Sequence, residues 1–191
     1  MNTIGIIGAM DEEVTLIKSA MNVKNTVEKA GCTFLSGTIE GKNDVVVRCG
    51  IGKVNAAMCT QILIDLFNVD AVINTGVAGA LADGITVGDV IVSKDALQHD
   101  MDCSPLGDPV GVIPRMKESV FKADERLMNA ALEASKKVID GRTALGRVVS
   151  GDQFIASMDI KNKLRDTFCG SCAEMEGAAI AHICCMNDVP Y

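Results

Sequence analysis

The chain has 191 residues, 48% hydrophobic but only 3% aromatic, and its 18 Lys and Arg against 25 Asp and Glu give a net charge of −7. That length suits one domain with a sizeable core, which must be aliphatic. The acidic balance, the absence of a Lys/Arg run and the scarcity of stacking surface argue against nucleic acid and anionic membranes as partners.

Strand and helix signals alternate from the start. Thr3–Gly8 is a short apolar strand, and Met10–Met21 carries apolar residues at 10, 14, 17 and 21, one face of a helix. Residues 1–22 have no basic leader and are interrupted by acids at 11–13, so they do not read as a signal peptide, and no apolar run is long enough to span a bilayer. A soluble cytoplasmic protein is expected. A strand that enters a helix through glycine offers an anion site at the helix N-terminus, yet Asp11, Glu12 and Glu13 occupy it. Either they are ordinary first-turn acids, stabilising the helix by about 0.3–1 kcal/mol each, or one points back toward the strand ends, where α/β sheets bind ligands. Gly5 and Gly8 make no dinucleotide fingerprint, which needs a third glycine and an acid about 20 residues on.

Cys32–Ile39 and Asp44–Cys49 read as strands joined through Glu40-Gly41-Lys42-Asn43, a hairpin signal. Lys53–Phe67 is a helix. Ala71–Asn74 is a buried strand running into Thr75-Gly76-Val77-Ala78-Gly79, whose glycines either make a tight turn or admit a flat ligand close to the backbone. Asp89–Ser93 is a further strand. Residues 99–120, with Pro105, Pro109, Pro114, Gly107 and Gly111, form a long loop of the kind that tends to be functional.

Asp124–Ile139 is a helix with acids early and lysines late. Ala144–Ser150 is a strand leading into Gly151-Asp152-Gln153-Phe154-Ile155, where Phe154 is either a packed core residue or a platform for a base. Met158–Arg165 is a short helix, Ala173–Met175 a short strand and Gly177–Met186 a helix. Glu174 and Glu176 share a face if their segment is extended, placing a carboxylate for sugar hydroxyls; the alternative is helix-start acids. Of eight cysteines, Cys169 and Cys172 form a C-x-x-C. A zinc site would need a second ligand pair, and the only histidines are His99 and His182, so free thiols are expected. The pattern gives one α/β domain, a mixed sheet covered by helices.

The segments IGIIGAMDEEV, GIGKVNAA, NTGVAGAL, VGDVIVS, HDMD, FKAD, VVSGDQFI and AEMEGAAIAH, in this order over essentially the whole chain, resemble the methylthioadenosine/S-adenosylhomocysteine nucleosidases of the nucleoside phosphorylase superfamily. The resemblance implies a three-layer α/β/α sandwich around a central mixed sheet, assembled as a homodimer. It implies hydrolysis of the N-glycosidic bond of 5′-methylthioadenosine and S-adenosylhomocysteine to adenine and a 5′-thio-ribose, with no cofactor or metal. Glu13 matches the carboxylate that activates water, and Glu176 the one that binds ribose hydroxyls, with Met175 under the sugar. Phe154 matches the residue that stacks on adenine, and Ile155 the one whose backbone holds the purine edge. Met10 and Ile51 match residues lining the ribose and 5′-thio pocket, and Val77, Ala78 and Gly79 the stretch beside sugar and base. Leu106 and Pro114 match positions reaching a neighbouring subunit's 5′-thio pocket.

The superfamily's phosphorylases anchor phosphate with cations, usually an arginine after the first strand; here that loop is GAMDEE, so water is the expected nucleophile. Val77 and Ala80 stand where Ser and Gly are common, and Leu106 where an aromatic is frequent. Residues 1–191 are expected to form a single nucleosidase domain lacking the family's last strand, the loop whose aspartate protonates adenine N7, and a C-terminal helix. The alternatives are another purine nucleosidase or phosphorylase of the superfamily, or a catalytically impaired, truncated form that binds nucleoside.

Overall fold

A computed structural model describes residues 3–191. Its first half is a sheet in the order β2-β3-β4-β1-β5, built from β1 (Thr3–Gly8), β2 (Asn22–Lys29), β3 (Cys32–Ile39), β4 (Lys42–Arg48) and β5 (Ala71–Asn74). Strand β1 lies parallel to both β4 and β5, whereas β2, β3 and β4 form an antiparallel meander. The second sheet has the order β6-β10-β9-β7-β8: β6 (Gly79–Ala80), β7 (Val90–Gln98), β8 (Val120–Lys122), β9 (Thr143–Ser150) and β10 (Cys172–Glu174). Its centre is parallel and its two outer pairings antiparallel. Helices α1 (Asp11–Ala20), α2 (Lys53–Phe67), α3 (Glu125–Val138), α4 (Met158–Phe168) and α5 (Gly177–Met186) link the strands. The expected mixed α/β architecture is therefore present, its strands divided between two five-stranded sheets.

The differences from the sequence reading have local causes. Strand β2 was not predicted, because an edge strand with almost every residue exposed carries no apolar alternation. It joins β3 through Ala30 and Gly31, both at positive φ, as β3 joins β4 through Glu40 and Gly41. Two successive residues of that kind match the right-handed strand twist, which is why the hairpins close in two residues. Strand β7 continues to Gln98, well past the predicted Ser93. The charge at Asp95 hid the extension, but Arg147 on β9 donates to it twice, at 2.7 and 2.8 Å. The loop predicted for 99–120 holds a 3₁₀ turn at Ser104–Leu106 and meets β8 at Val120.

The core is aliphatic, as the composition requires. The largest cluster joins Ile7, Phe34, Val45, Val47, Leu63, Val72 and Ile180, with Phe34 stacked on Phe67 at 5.3 Å between ring centres. Helix α5 is apolar on all sides and six of its ten residues are buried, which suits a helix enclosed by its neighbours. None of the described helices is long and apolar enough to cross a membrane. Phe34 is fully buried, so Phe34→Ala is expected to cost about 3–5 kcal/mol, read as a lower urea midpoint. A loss below about 1 kcal/mol would mean that this cluster does not anchor the fold.

Candidate active site

The parallel register of β1 with β5 (Ile4↔Ala71 through Ile7↔Asn74) sets the chain after Gly8 beside the chain after Asn74. Glu13, at the third position of α1, turns back into that junction. Its Oε2 accepts the N–H groups of Ala9 (2.7 Å) and Met10 (3.0 Å), and its Oε1 accepts the N–H of Val77 (3.0 Å). Glu13 therefore satisfies both readings open in the sequence: at N3 of α1 it caps the helix start through the Met10 N–H, and its other oxygen reaches the strand ends at Val77. Asp11 stays in the first turn and pairs with Lys18 and Arg48 at the surface. Gly76 leaves the carboxylate its room: a Cβ there would stand 2.6 Å from Glu13 Oε1 and push the side chain from this position.

A second junction brings the remaining acids in. Strand β10 is parallel to β9, with Glu174 opposite Ser150, so the turn after Ser150 lies beside residues 174–177. Glu176 is the N-cap residue of α5 and is buried. Its Oε1 accepts the Gly52 N–H at 2.6 Å, at the start of α2. Glu174 accepts the N–H groups of Glu176 (2.9 Å) and Gly177 (2.6 Å) and the hydroxyl of Ser150, whose oxygen in turn accepts the Ala178 N–H at 2.7 Å. Glu174 thus caps α5 and fixes the peptide that carries Glu176.

Between the junctions opens a cleft of about 430 Å³, within the range of small-molecule sites. Glu13, Met10, Ile51, Val77, Ala78 and Gly79 line it, facing Phe154, Ile155, Met175 and Glu176. Phe154 is 88% exposed, so it is a free ring at the cleft and not a core residue. Ile155 packs against the cluster of Leu81, Leu97 and Phe168. Val77 takes part through its backbone N–H, and its side chain stays exposed. Leu106, on the 3₁₀ turn, and Pro114 do not line this chain's own cleft. A larger recess of about 820 Å³, lined by β5, β7 and α3, adjoins it and shares Glu13, Glu174 and Glu176.

Three carboxylates at one end of an apolar cleft repel one another. Burial raises the Glu174 carboxyl above its ordinary value against the Ser150, Gly177 and Glu176 hydrogen bonds, and the Glu13 charge adds to the rise. Burial likewise raises Glu176, opposed by the Gly52 N–H and reinforced by the charges of Glu174 and Glu13. Among the described residues, the one cation lining the cleft is Lys161, from α4 on the Phe154 side. No group of three His, Cys, Asp or Glu among the described residues could hold a metal. Cys172 is buried, its thiol pushed up to about 12 by burial and by Glu174, and Cys169 is exposed at the end of α4.

Sequence reasoning missed the support beneath Glu176. Lys53 donates its N–H to Asp152 Oδ1 (2.8 Å), Asp152 donates its N–H to Asp100 Oδ2 (2.9 Å), and Lys53 Nζ reaches Asp100 Oδ1 (2.6 Å) and Gln98 Oε1 (3.0 Å). Burial alone would push the Asp100 carboxyl up, but the Lys53 hydrogen bond, the Asp152 N–H and the Lys53 charge hold it below its ordinary value. The signal was present in the charged residues of HDMD, GIGKVNAA and SGDQFI, but nothing in a linear pattern pairs positions 53, 100 and 152.

A profile of the phosphorylase superfamily matches residues 3–191. A 5′-methylthioadenosine/S-adenosylhomocysteine nucleosidase of Oceanobacillus iheyensis is 41% identical over 190 residues, covering 99% of this chain and 82% of that protein. Among solved structures, the nucleosidase of Neisseria meningitidis in complex with methylthio-immucillin-A superposes with a TM-score of 0.94 at 37% identity, over 100% of this chain and 82% of the other. Futalosine hydrolase of Helicobacter pylori superposes with a TM-score of 0.92 at 34% identity, over 99% of this chain and 81% of the other.

Proposed function

This chain belongs to the 5′-methylthioadenosine/S-adenosylhomocysteine nucleosidases of the phosphorylase superfamily, and on that premise we propose that its cleft hydrolyses the N-glycosidic bond of those nucleosides with Glu13 as the base for water. The products are adenine and the 5′-thio-ribose. The observation that carries the assignment is the Glu13 carboxylate, held by three backbone N–H groups at the mouth of an apolar cleft that also contains Glu176 and an exposed Phe154.

The chemistry follows from the residue types. As the C1′–N9 bond breaks, its electron pair leaves with adenine and positive charge builds on the ribose. Glu13 takes a proton from the water that bonds to C1′, and its negative charge lies where that cation develops. Glu176 accepts from the ribose hydroxyls, Met175 packs under the sugar and the Phe154 ring stacks on the base. Met10 and Ile51 give the thioether an apolar wall, and the Ile155 backbone meets the purine edge. Adenine N7 also needs a proton. Among the described residues no aspartate lines the cleft.

Ile51 and Phe154 line the cleft yet remain 55% and 88% exposed, as expected of residues covered by a second copy. This supports a homodimer in which Leu106 and Pro114 serve the partner's 5′ pocket. A second reading, a purine nucleosidase for a different 5′ group, draws on the likeness to futalosine hydrolase. Adenine release from 5′-methylthioadenosine is expected to be unchanged by added phosphate, with free 5′-methylthioribose as the product. Formation of a ribose 1-phosphate would overturn the choice of water, and release only from nucleosides with other 5′ groups would favour the second reading.

A further inference from the structure

We propose that Asp100, joined to Lys53 and Asp152 in a closed ring of hydrogen bonds, is a positioning residue for Glu176 and so for the ribose. The inference rests on the reading of Glu176 as the ribose-binding carboxylate. Two successive N–H groups at the start of α2 bind two different carboxylates: Gly52 donates to Glu176 at 2.6 Å and Lys53 donates to Asp152 at 2.8 Å. Gly52 adopts φ +100 as the N-cap of α2 and has no side chain to secure it. The next peptide is held on both sides, its carbonyl by the Ala56 N–H at 3.1 Å and its N–H by Asp152, and the Asp152 bond is the link that reaches outside the helix.

Asp152 is exposed and lies on a turn, so it needs an anchor of its own. Asp100 provides it. One Asp100 oxygen accepts the Asp152 N–H and the other accepts Lys53 Nζ, so the ring returns to the residue where it began. Asp100 and the Lys53 side chain are each only 17% exposed, where a charge-assisted pair is screened less than at the surface. Gly151 lets the ring close, since a Cβ there would stand 2.5 Å from His99 Cε1 and 3.0 Å from Asp100 Cγ. The ring thus ties three separate segments together: the chain after β7, the turn that carries Phe154, and the helix start that grips Glu176.

Asp100→Asn tests this. The amide keeps one acceptor and turns an NH₂ toward either the Lys53 ammonium or the Asp152 N–H, so one link opens with little change in volume. Titration calorimetry with 5′-methylthioadenosine is run in the Glu13→Gln background, which keeps the nucleoside from being hydrolysed during the titration, on that parent and with Asp100→Asn, Glu176→Gln or both added, with thermal melting as a check on folding. The expected result is about a tenfold loss of affinity in Asp100→Asn, the scale of one charge-assisted hydrogen bond. In the Glu176→Gln background the same change is expected to matter less than about twofold, because two residues acting through one group are not additive. Asp152→Ala opens the ring at an exposed position, and it should repeat the pattern if Asp100→Asn unfolds the chain. No loss in the single variants, or an equal loss in both backgrounds, overturns the positioning role. A folded Glu13→Gln parent that binds no 5′-methylthioadenosine, with no adenine release by the wild type, overturns the proposed function, and this inference with it.

Discussion

Replacing Glu13 by Gln is expected to lower adenine release from 5′-methylthioadenosine by about 10²–10⁴-fold under single-turnover conditions, while the nucleoside's Kd changes less than about fivefold. The geometry separates the two effects. Glu13 spends both oxygens on backbone donors, Oε2 on Ala9 and Met10 and Oε1 on Val77. Gln can satisfy one side only; its NH₂ then faces a backbone N–H, leaving a donor without an acceptor at a cost of about 1–3 kcal/mol. The side chain stays near its place, but it can neither take a proton from water nor oppose the positive charge on the ribose. The binding surfaces, chiefly Phe154, Met175 and the Glu176 carboxylate, are left intact. Turnover within about tenfold of wild type would show that Glu13 is not the base. Equal loss of binding and turnover would show a collapsed cleft instead.

How much of this could be read from the sequence depends on whether a residue's role is local. Helix α2 was legible from end to end: the bounds read in the sequence, Lys53–Phe67, are those of the structure. Strand β3 was legible because its hairpin carries Glu40-Gly41, whereas β2 was lost for lack of a buried face. In the site, Glu13 and Glu176 were found through the segments around them. The reason that Glu13 turns inward was not, because it depends on Val77, 64 positions away, and on a glycine at 76 that leaves room for its carboxylate. The ring of Lys53, Asp100 and Asp152 spans 99 residues from Lys53 to Asp152: the parallel pairing of β7 with β9 sets Asp100 beside Asp152, and Lys53 reaches them from the other sheet's side. Residues that line the cleft left marks in short motifs; the residues that hold them in place are joined by topology.

Glu176→Gln is the sharper test of how the cleft divides its work, because it should affect one half of the ligand and spare the other. Loss of a hydrogen bond to a charged group, worth about 1.5–3 kcal/mol, is expected to weaken 5′-methylthioadenosine by roughly 10–100-fold. Adenine has no ribose to lose and should bind within about threefold of wild type on Phe154. The pH dependence follows from the raised Glu176 carboxyl, which burial, Glu174 and Glu13 all disfavour as an anion. With the proposed ribose contact made by that anion, wild-type affinity should fall as pH drops through a value above the ordinary glutamate range. The Gln variant should lose that limb. Stability runs the other way: a carboxyl raised in the folded state holds its proton more tightly there than in the unfolded chain, so the fold loses stability as pH rises from the ordinary value through the raised one. Above that window, the Gln variant should melt higher than wild type, because it removes one of three mutually repelling charges. A cleft built for a developing cation would then be keeping its negative charge at the expense of stability. Equal weakening of adenine and nucleoside, or an acid limb that persists in the variant, would place the ribose contact elsewhere.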